Sequence, residues 1–202
     1  MLETSARLLA CVATVVLLAT GCSEGGTTAP KASPTPLADL NSSAIQVPRI
    51  EFCTLVPESA VRTALGGKPD SSSSYRNGDD VDLPGVGKQV VHEIGCSWST
   101  DAGAAARAWV FARPVDAAFA RTAVASSRRT KRCVVTDRPS YGDPSVTQTC
   151  REPDGSTRVR HAGLFGQTWL SCELADPADA AAVRDRADRW CVEVVNALNT
   201  GR

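Results

Sequence analysis

Large apolar residues follow three regimes along this chain of 202 residues. From Leu8 to Ala19 they are nearly continuous, from Ser23 to Pro36 there are none, and from Leu37 onward they recur at strand and helix periods. The first run is too short for a bilayer span, which needs about 20 apolar residues. The second cannot bury enough surface to offset its chain entropy, so it reads as a tether, stiffened where proline recurs. The third has the length of one ordinary domain with a real core. The expected organisation is a signal segment at 1–21, Cys22 with a disordered Ser/Thr/Pro/Gly tether at 22–47, and a globular domain at 48–202.

Within the domain, Pro57 to Leu65 reads as a short helix stopped by Gly66-Gly67. The serine-, glycine- and aspartate-rich stretch from Pro69 to Gly87 reads as a long loop. Gly95-Cys96-Ser97-Trp98-Ser99 and Arg107-Ala108-Trp109-Val110-Phe111 are strand-like around the turn-forming Asp101-Ala102-Gly103. The tryptophans Trp98 and Trp109 belong to the core or a sheet face. Val115 to Arg129 is expected to be a helix with Phe119 and Ala123 on one face. Cys133 to Val135 and Val146 to Cys150 suggest two strands, and the turn Pro153-Asp154-Gly155-Ser156 leads into strands near Thr157 to Ala162 and Thr168 to Leu174. The last element is a helix capped by Asp176 and begun by Pro177. Val183, Ala187, Trp190, Cys191, Val194, Ala197 and Leu198 form its apolar stripe. The fold class is therefore α+β: a single disulfide-braced domain, a mainly antiparallel sheet, two or three helices, and the long C-terminal helix packed on the sheet.

The apolar run ends in Ala19-Thr20-Gly21, and Cys22 follows directly. With Arg7 ahead of it, this is signal-peptide order. A cysteine placed directly after that glycine is similar to a bacterial lipobox. That resemblance implies diacylglycerol transfer to the Cys22 thiol, cleavage before Cys22 and anchoring at the extracytoplasmic face of the cell membrane. Two or more acyl chains hold far more firmly than one, at about 0.8 kcal/mol per buried methylene.

Of the eight cysteines, Cys11 lies in the signal and Cys22 takes the lipid, which leaves Cys53, Cys96, Cys133, Cys150, Cys172 and Cys191. An even set in an exported domain reads as disulfides. Zinc is the competing use, but no C-x-x-C or H-x-x-x-H pair occurs. Connectivity stays open in sequence; element order favours Cys172 with Cys191, Cys53 with Cys96, and Cys133 with Cys150. Loops of roughly 15 to 45 residues would each add up to about 3 to 4 kcal/mol in the chain-entropy model.

Charge adds little, because Lys plus Arg and Asp plus Glu both number 22. Neutrality gives no sign of nucleic acid or of an acidic substrate. The basic run Arg128-Arg129-Thr130-Lys131-Arg132 suits a solvated helix end favoured by the macrodipole, with an anionic surface as the rival reading. Asp79, Asp80 and Asp82 lack the glycine and distal glutamate of a calcium loop. The only histidines are His92 and His161, neither in a catalytic signature, and His161 is expected at a sheet or surface position. No nucleophile elbow, phosphate loop or zincin motif is present. No metal, cofactor or catalytic residue is assigned.

The motif Phe52-Cys53-Thr54-Leu55-Val56-Pro57-Glu58 leads into Ala64-Leu65-Gly66, and Gly95-Cys96-Ser97-Trp98 and a cysteine-bearing C-terminal helix follow. Behind a lipobox and tether, this order resembles the actinobacterial DUF3558-type lipoproteins, whose pattern is roughly PC-x-LL-T-P-x-E, then LG, then C-x-W. It is similar, too, to extracytoplasmic sensor domains of mycobacterial serine/threonine kinases. The resemblance implies an α+β domain outside the membrane and brings no activity. The expected role is a cell-surface binding or interaction module for an envelope protein or small molecule. An envelope hydrolase using carboxylates or His161, or a lipid or small-ligand carrier, are the alternatives.

Overall fold

The computed structural model describes residues 35–83, 87–137 and 140–200. The signal, Cys22 and the first part of the tether lie outside the described residues. Seven antiparallel strands form the main sheet: β1 (Ser71–Tyr75), β4 (Glu93–Ser99), β5 (Ala105–Phe111), β6 (Cys133–Thr136), β7 (Ser145–Arg151), β8 (Thr157–Phe165) and β9 (Thr168–Asp176). Their order is β1-β4-β5-β9-β8-β7-β6, and β2 (Asp80–Leu83) pairs with β3 (Gly87–Val90) as a separate hairpin. Three α-helices complete the domain: α1 (Glu58–Leu65), α2 (Ala117–Ser127) and α3 (Ala180–Thr200). This is the α+β architecture expected, with α3 on the sheet.

Side-chain alternation separates the two faces of the sheet. Cys96, Ala106, Ala108, Val110, Val159, Leu170, Cys172 and Leu174 point to one face and join the main core. On α3, Val183, Ala187, Trp190, Cys191, Val194 and Leu198 recur every three or four residues and cover that face. Val192 and Val195 widen the stripe because α1 packs on the outer side of α3. Trp190 anchors the contact, its indole N–H donating to Arg107 O at 3.3 Å and its ring meeting Trp98 edge-on at 5.4 Å. Burying a tryptophan this completely is worth several kcal/mol, on the order of the 3–5 lost when one is cut to alanine.

Three disulfides lock these layers together. Cys172–Cys191 pins α3 to β9, Cys53–Cys96 ties the segment before α1 to β4, and Cys133–Cys150 cross-links β6 to β7.

Three expectations need correction. Leu37, Leu40 and Val47, assigned to the disordered tether, are buried in the main core, with single 3-10 turns at Leu37–Asp39 and Ser42–Ala44. A few apolar residues suffice because α3 offers them an apolar flank. The stretch from Pro69 to Gly87 is no loop: Ser71 to Tyr75 pairs with β4, and Ser71 and Ser73 share hydroxyl hydrogen bonds of 2.7 and 2.8 Å with Ser99 and Ser97. Such cross-strand hydroxyl pairs replace apolar packing on an edge strand. The cap of α3 is Asp179, which accepts from Ala181 N and Ala182 N, while Asp176 ends β9 and pairs with Arg186 at 2.8 Å.

Close backbone approach fixes one glycine. A Cβ on Gly163 would lie 1.7 Å from Tyr141 O, where the segment after residue 140 crosses β8. Gly163→Ala should therefore lower unfolding stability by at least about 3 kcal/mol in urea titration, an overpacking cost with rigid backbone on both sides. Gly67→Ala, with nothing within 4 Å of the added methyl, should stay within about 0.5 kcal/mol of wild type. Equal effects at the two positions would refute the crossing.

Candidate functional site

Two polar assemblies stand out, one on each face of the sheet. The first lies under α3. His161, on β8 and fully buried, directs Nδ1 to Thr147 Oγ1 at 2.7 Å, and Asp188 Oδ1 on α3 is 2.8 Å from Nε2 without meeting hydrogen-bond geometry there. The Tyr141 ring packs 5.7 Å from the imidazole, and burial pushes its phenol far above the usual range. A hydroxyl, an imidazole and a carboxylate in sequence have the composition of a catalytic triad. The ring has no solvent-exposed surface. His161 is thus a sheet residue as expected, but an interior one; strand pairing with Cys172 sets it directly under α3.

The second assembly occupies the opposite face. There α2 covers β7 and β8 through Val115, Ala120, Val146, Ala162, Leu164 and Trp169. The β2–β3 hairpin and its flank cover the other side through Val81 and Val91 on Tyr75 and Trp109. Between these covers, cross-strand register lines up Gln148, Arg160, Glu173, Arg107, Ser97 and Ser73 as one row across six strands. Arg107 and Arg158 both converge on Glu173, at 3.3 and 3.6 Å, and Arg158 also pairs with Glu152 at 2.7 Å. Arg160 and Arg107 lie 4.8 and 5.6 Å from the centre of the Trp109 ring, within cation–π range.

Burial sets the electrostatics of this face. Desolvation raises the Glu93 carboxyl above the usual carboxylate range despite nearby Arg160 and Arg107. It also draws the Arg160 guanidinium down from its usual value, with Glu173 opposing. Tyr75 is pushed up to about 12, by burial first and by the Glu93 charge second. Its ring lies over Gly95, where a Cβ would come within 2.5 Å of it, so only glycine admits it.

The remaining candidates fall elsewhere. The six domain cysteines are all consumed in disulfides. His92 is exposed beside a cavity of about 470 Å³ that also meets Phe111, Arg113 and Phe119. On α2, Phe119 is 53 % exposed and Ala120 is the buried residue. The basic run after α2 is solvated, with Arg128 paired to Asp137 at 2.6 Å. Among the described residues no group of three or more His, Cys, Asp or Glu is placed to hold a metal. Arg107, Arg158, Arg160 and Glu173 were missed in sequence. Their signal was the two-residue alternation of charge with Val159, Cys172 and Leu174 along β8 and β9.

No family model matches the chain, and no curated protein matches it.

Both tyrosines of the protein are held neutral. The unfolded chain loses phenol protons near pH 10, whereas Tyr75 keeps its proton to about 12. Stability from this source is complete below pH 10 and declines as pH rises through 12. Absorbance titration of the folded protein should show no phenolate step at pH 10, and a full step in guanidinium chloride; a step at pH 10 in the native protein would contradict the burial of both rings.

Proposed function

We propose that the chain is an extracytoplasmic lipoprotein, anchored through acylated Cys22, whose domain is a non-enzymatic binding module. The observation that carries this reading is the contrast between the two assemblies. In the group with catalytic composition the imidazole of His161 is wholly buried between Thr147 and Asp188, whereas the opposite face sets arginines and serines around the buried rings of Trp109 and Tyr75. Such a face suits recognition, since guanidinium groups and aromatic rings dominate binding energetics.

Address and architecture agree with this. Three disulfides suit an oxidising compartment. Among the described residues no helix is long and apolar enough to cross a membrane. The resemblance to DUF3558-type lipoproteins points to the same placement. A lipid carrier would need a large enclosed apolar cavity, whereas the cavities beside His92, Ser97, Arg160 and Gln89 are of about 250 to 470 Å³ and open to solvent.

Cys22→Ser should abolish palmitate incorporation and either release the protein or leave its signal uncleaved, read by labelling and membrane fractionation; normal processing and retention would refute the anchor. A photoreactive residue at Ser97, in the row, should give discrete adducts on intact cells, and one at Glu58, on the outer side of α1, should not. Equal labelling at both sites would overturn the assignment of the binding face.

A further inference from the structure

We propose that the cavity between α2 and β7–β8 is a binding site for the oxyanion group of a small organic acid, a carboxylate or phosphate ester, read by Arg160. This rests on the assignment of the open sheet face as a binding surface and narrows it to one pocket and one ligand chemistry.

The cavity measures about 300 Å³, with Arg160, Arg158 and Gln148 on the sheet side and Ser126, Ser127 and Thr130 on the helix side. Gln148 does not compete for the ligand: its amide donates to Ser127 O at 3.1 Å and Thr130 Oγ1 at 3.0 Å, which fixes the end of α2 over the pocket. The hydroxyl edge of the pocket is thereby held rigid.

Arg160 is the unusual member. Arg107 and Arg158 each have a carboxylate partner, but among the described residues none pairs with Arg160. Glu173, its cross-strand neighbour, is already shared by the other two guanidiniums. Of the five N–H donors of Arg160, one bond from Nη2 reaches Ser171 Oγ at 3.0 Å, and Nε is sealed without a partner. The guanidinium is held in place by the Trp109 ring at 4.8 Å, which orients the fork and supplies no acceptor. A desolvated guanidinium that is oriented, part of a cavity wall and without a carboxylate in contact, Glu173 and Glu93 acting on it only at longer range, matches a planar oxyanion, which accepts two parallel N–H bonds. Arg158, on the same face two residues earlier, adds a second positive charge at the rim. Phe111 and Trp169 complete the lining and provide apolar surface for a compact organic body. The volume accepts a ring-sized acid and excludes a folded polypeptide.

Titration of the purified domain with benzoate, phenyl phosphate and neutral benzyl alcohol, followed by NMR of the arginine Nε–Hε signals, tests this. The two anions should shift the Arg160 signal saturably and benzyl alcohol should not. Arg160→Gln should weaken both anions by about tenfold or more, the loss of a charge-assisted bidentate contact. Ala123→Leu, which fills the cavity from α2 and leaves every charge in place, should do the same if Arg160→Gln proves too unstable to purify. Arg113→Gln, at the separate cavity beside His92, should bind like wild type. Binding of benzyl alcohol as tight as that of benzoate, anion affinity unchanged in Ala123→Leu, or no saturable shift with either anion would each overturn the site. Adducts at Ser97 that persist when no anion binds would leave the binding face intact and remove only the pocket; loss of both would remove the reading beneath it.

Discussion

A seven-stranded antiparallel sheet has two faces, and among the described residues one long helix with an apolar stripe is present to cover them. That shortage governs the rest of the structure. With α3 fastened to β9 by Cys172–Cys191 and seated by Trp190, the face beneath it is mainly apolar, with Thr147, His161 and Asp176 among its few buried polar positions, and its apolar side chains feed the main core. The opposite face receives the short, weakly buried α2 at one side and the β2–β3 hairpin at the other. Its centre is left to polar residues, and the strand period that points Val159, Cys172 and Leu174 inward necessarily points Arg158, Arg160 and Glu173 outward.

The same asymmetry decides which chemistry is open to the molecule. A histidine placed on the covered face is removed from solvent whatever its neighbours are, so the proximity of Thr147, His161 and Asp188 has a structural meaning: it supplies partners to polar groups in the core. Charge on the uncovered face has a different standing. Ion pairs there, such as Arg107–Glu173, join a partly exposed guanidinium to a buried carboxylate, Arg158 draws on both Glu152 and Glu173, and of the three arginines Arg160 is the one without a carboxylate in contact.

Legibility in sequence followed the strength of each periodic signal. The α3 stripe, the β4–β5 hairpin and the β8–β9 pair were readable because apolar residues there recur at 3.6 or 2 positions over a whole element, and the cysteines on them inherit partners from element order. Ser71 to Ser74 was read as loop because its pairing uses hydroxyls, a signal that composition assigns to turns. Leu37 and Leu40 were lost for a related reason: isolated leucines amid polar residues become core only when a distant helix offers them a flank. The candidate site was invisible as a motif. Arg160, Glu173 and Arg107 are separated in sequence and meet only through the β8–β9 and β9–β5 registers, so no local pattern marks them.

What singles out Arg160 within that row is the lack of a carboxylate in contact with it. A guanidinium loses much of its hydration when buried against an aromatic ring, and a fold selected for stability alone would answer it with a carboxylate in contact, as Glu152 and Glu173 answer Arg158. Here the residue opposite on β7 is Gln148, whose amide group is turned to α2, and the residue opposite on β9 is committed to other arginines. Glu173 and Glu93 act on this charge without contacting it, and the guanidinium borders the cavity between α2 and the sheet. Local frustration of this kind, concentrated at one residue in an otherwise consistent fold, is where function is expected to reside.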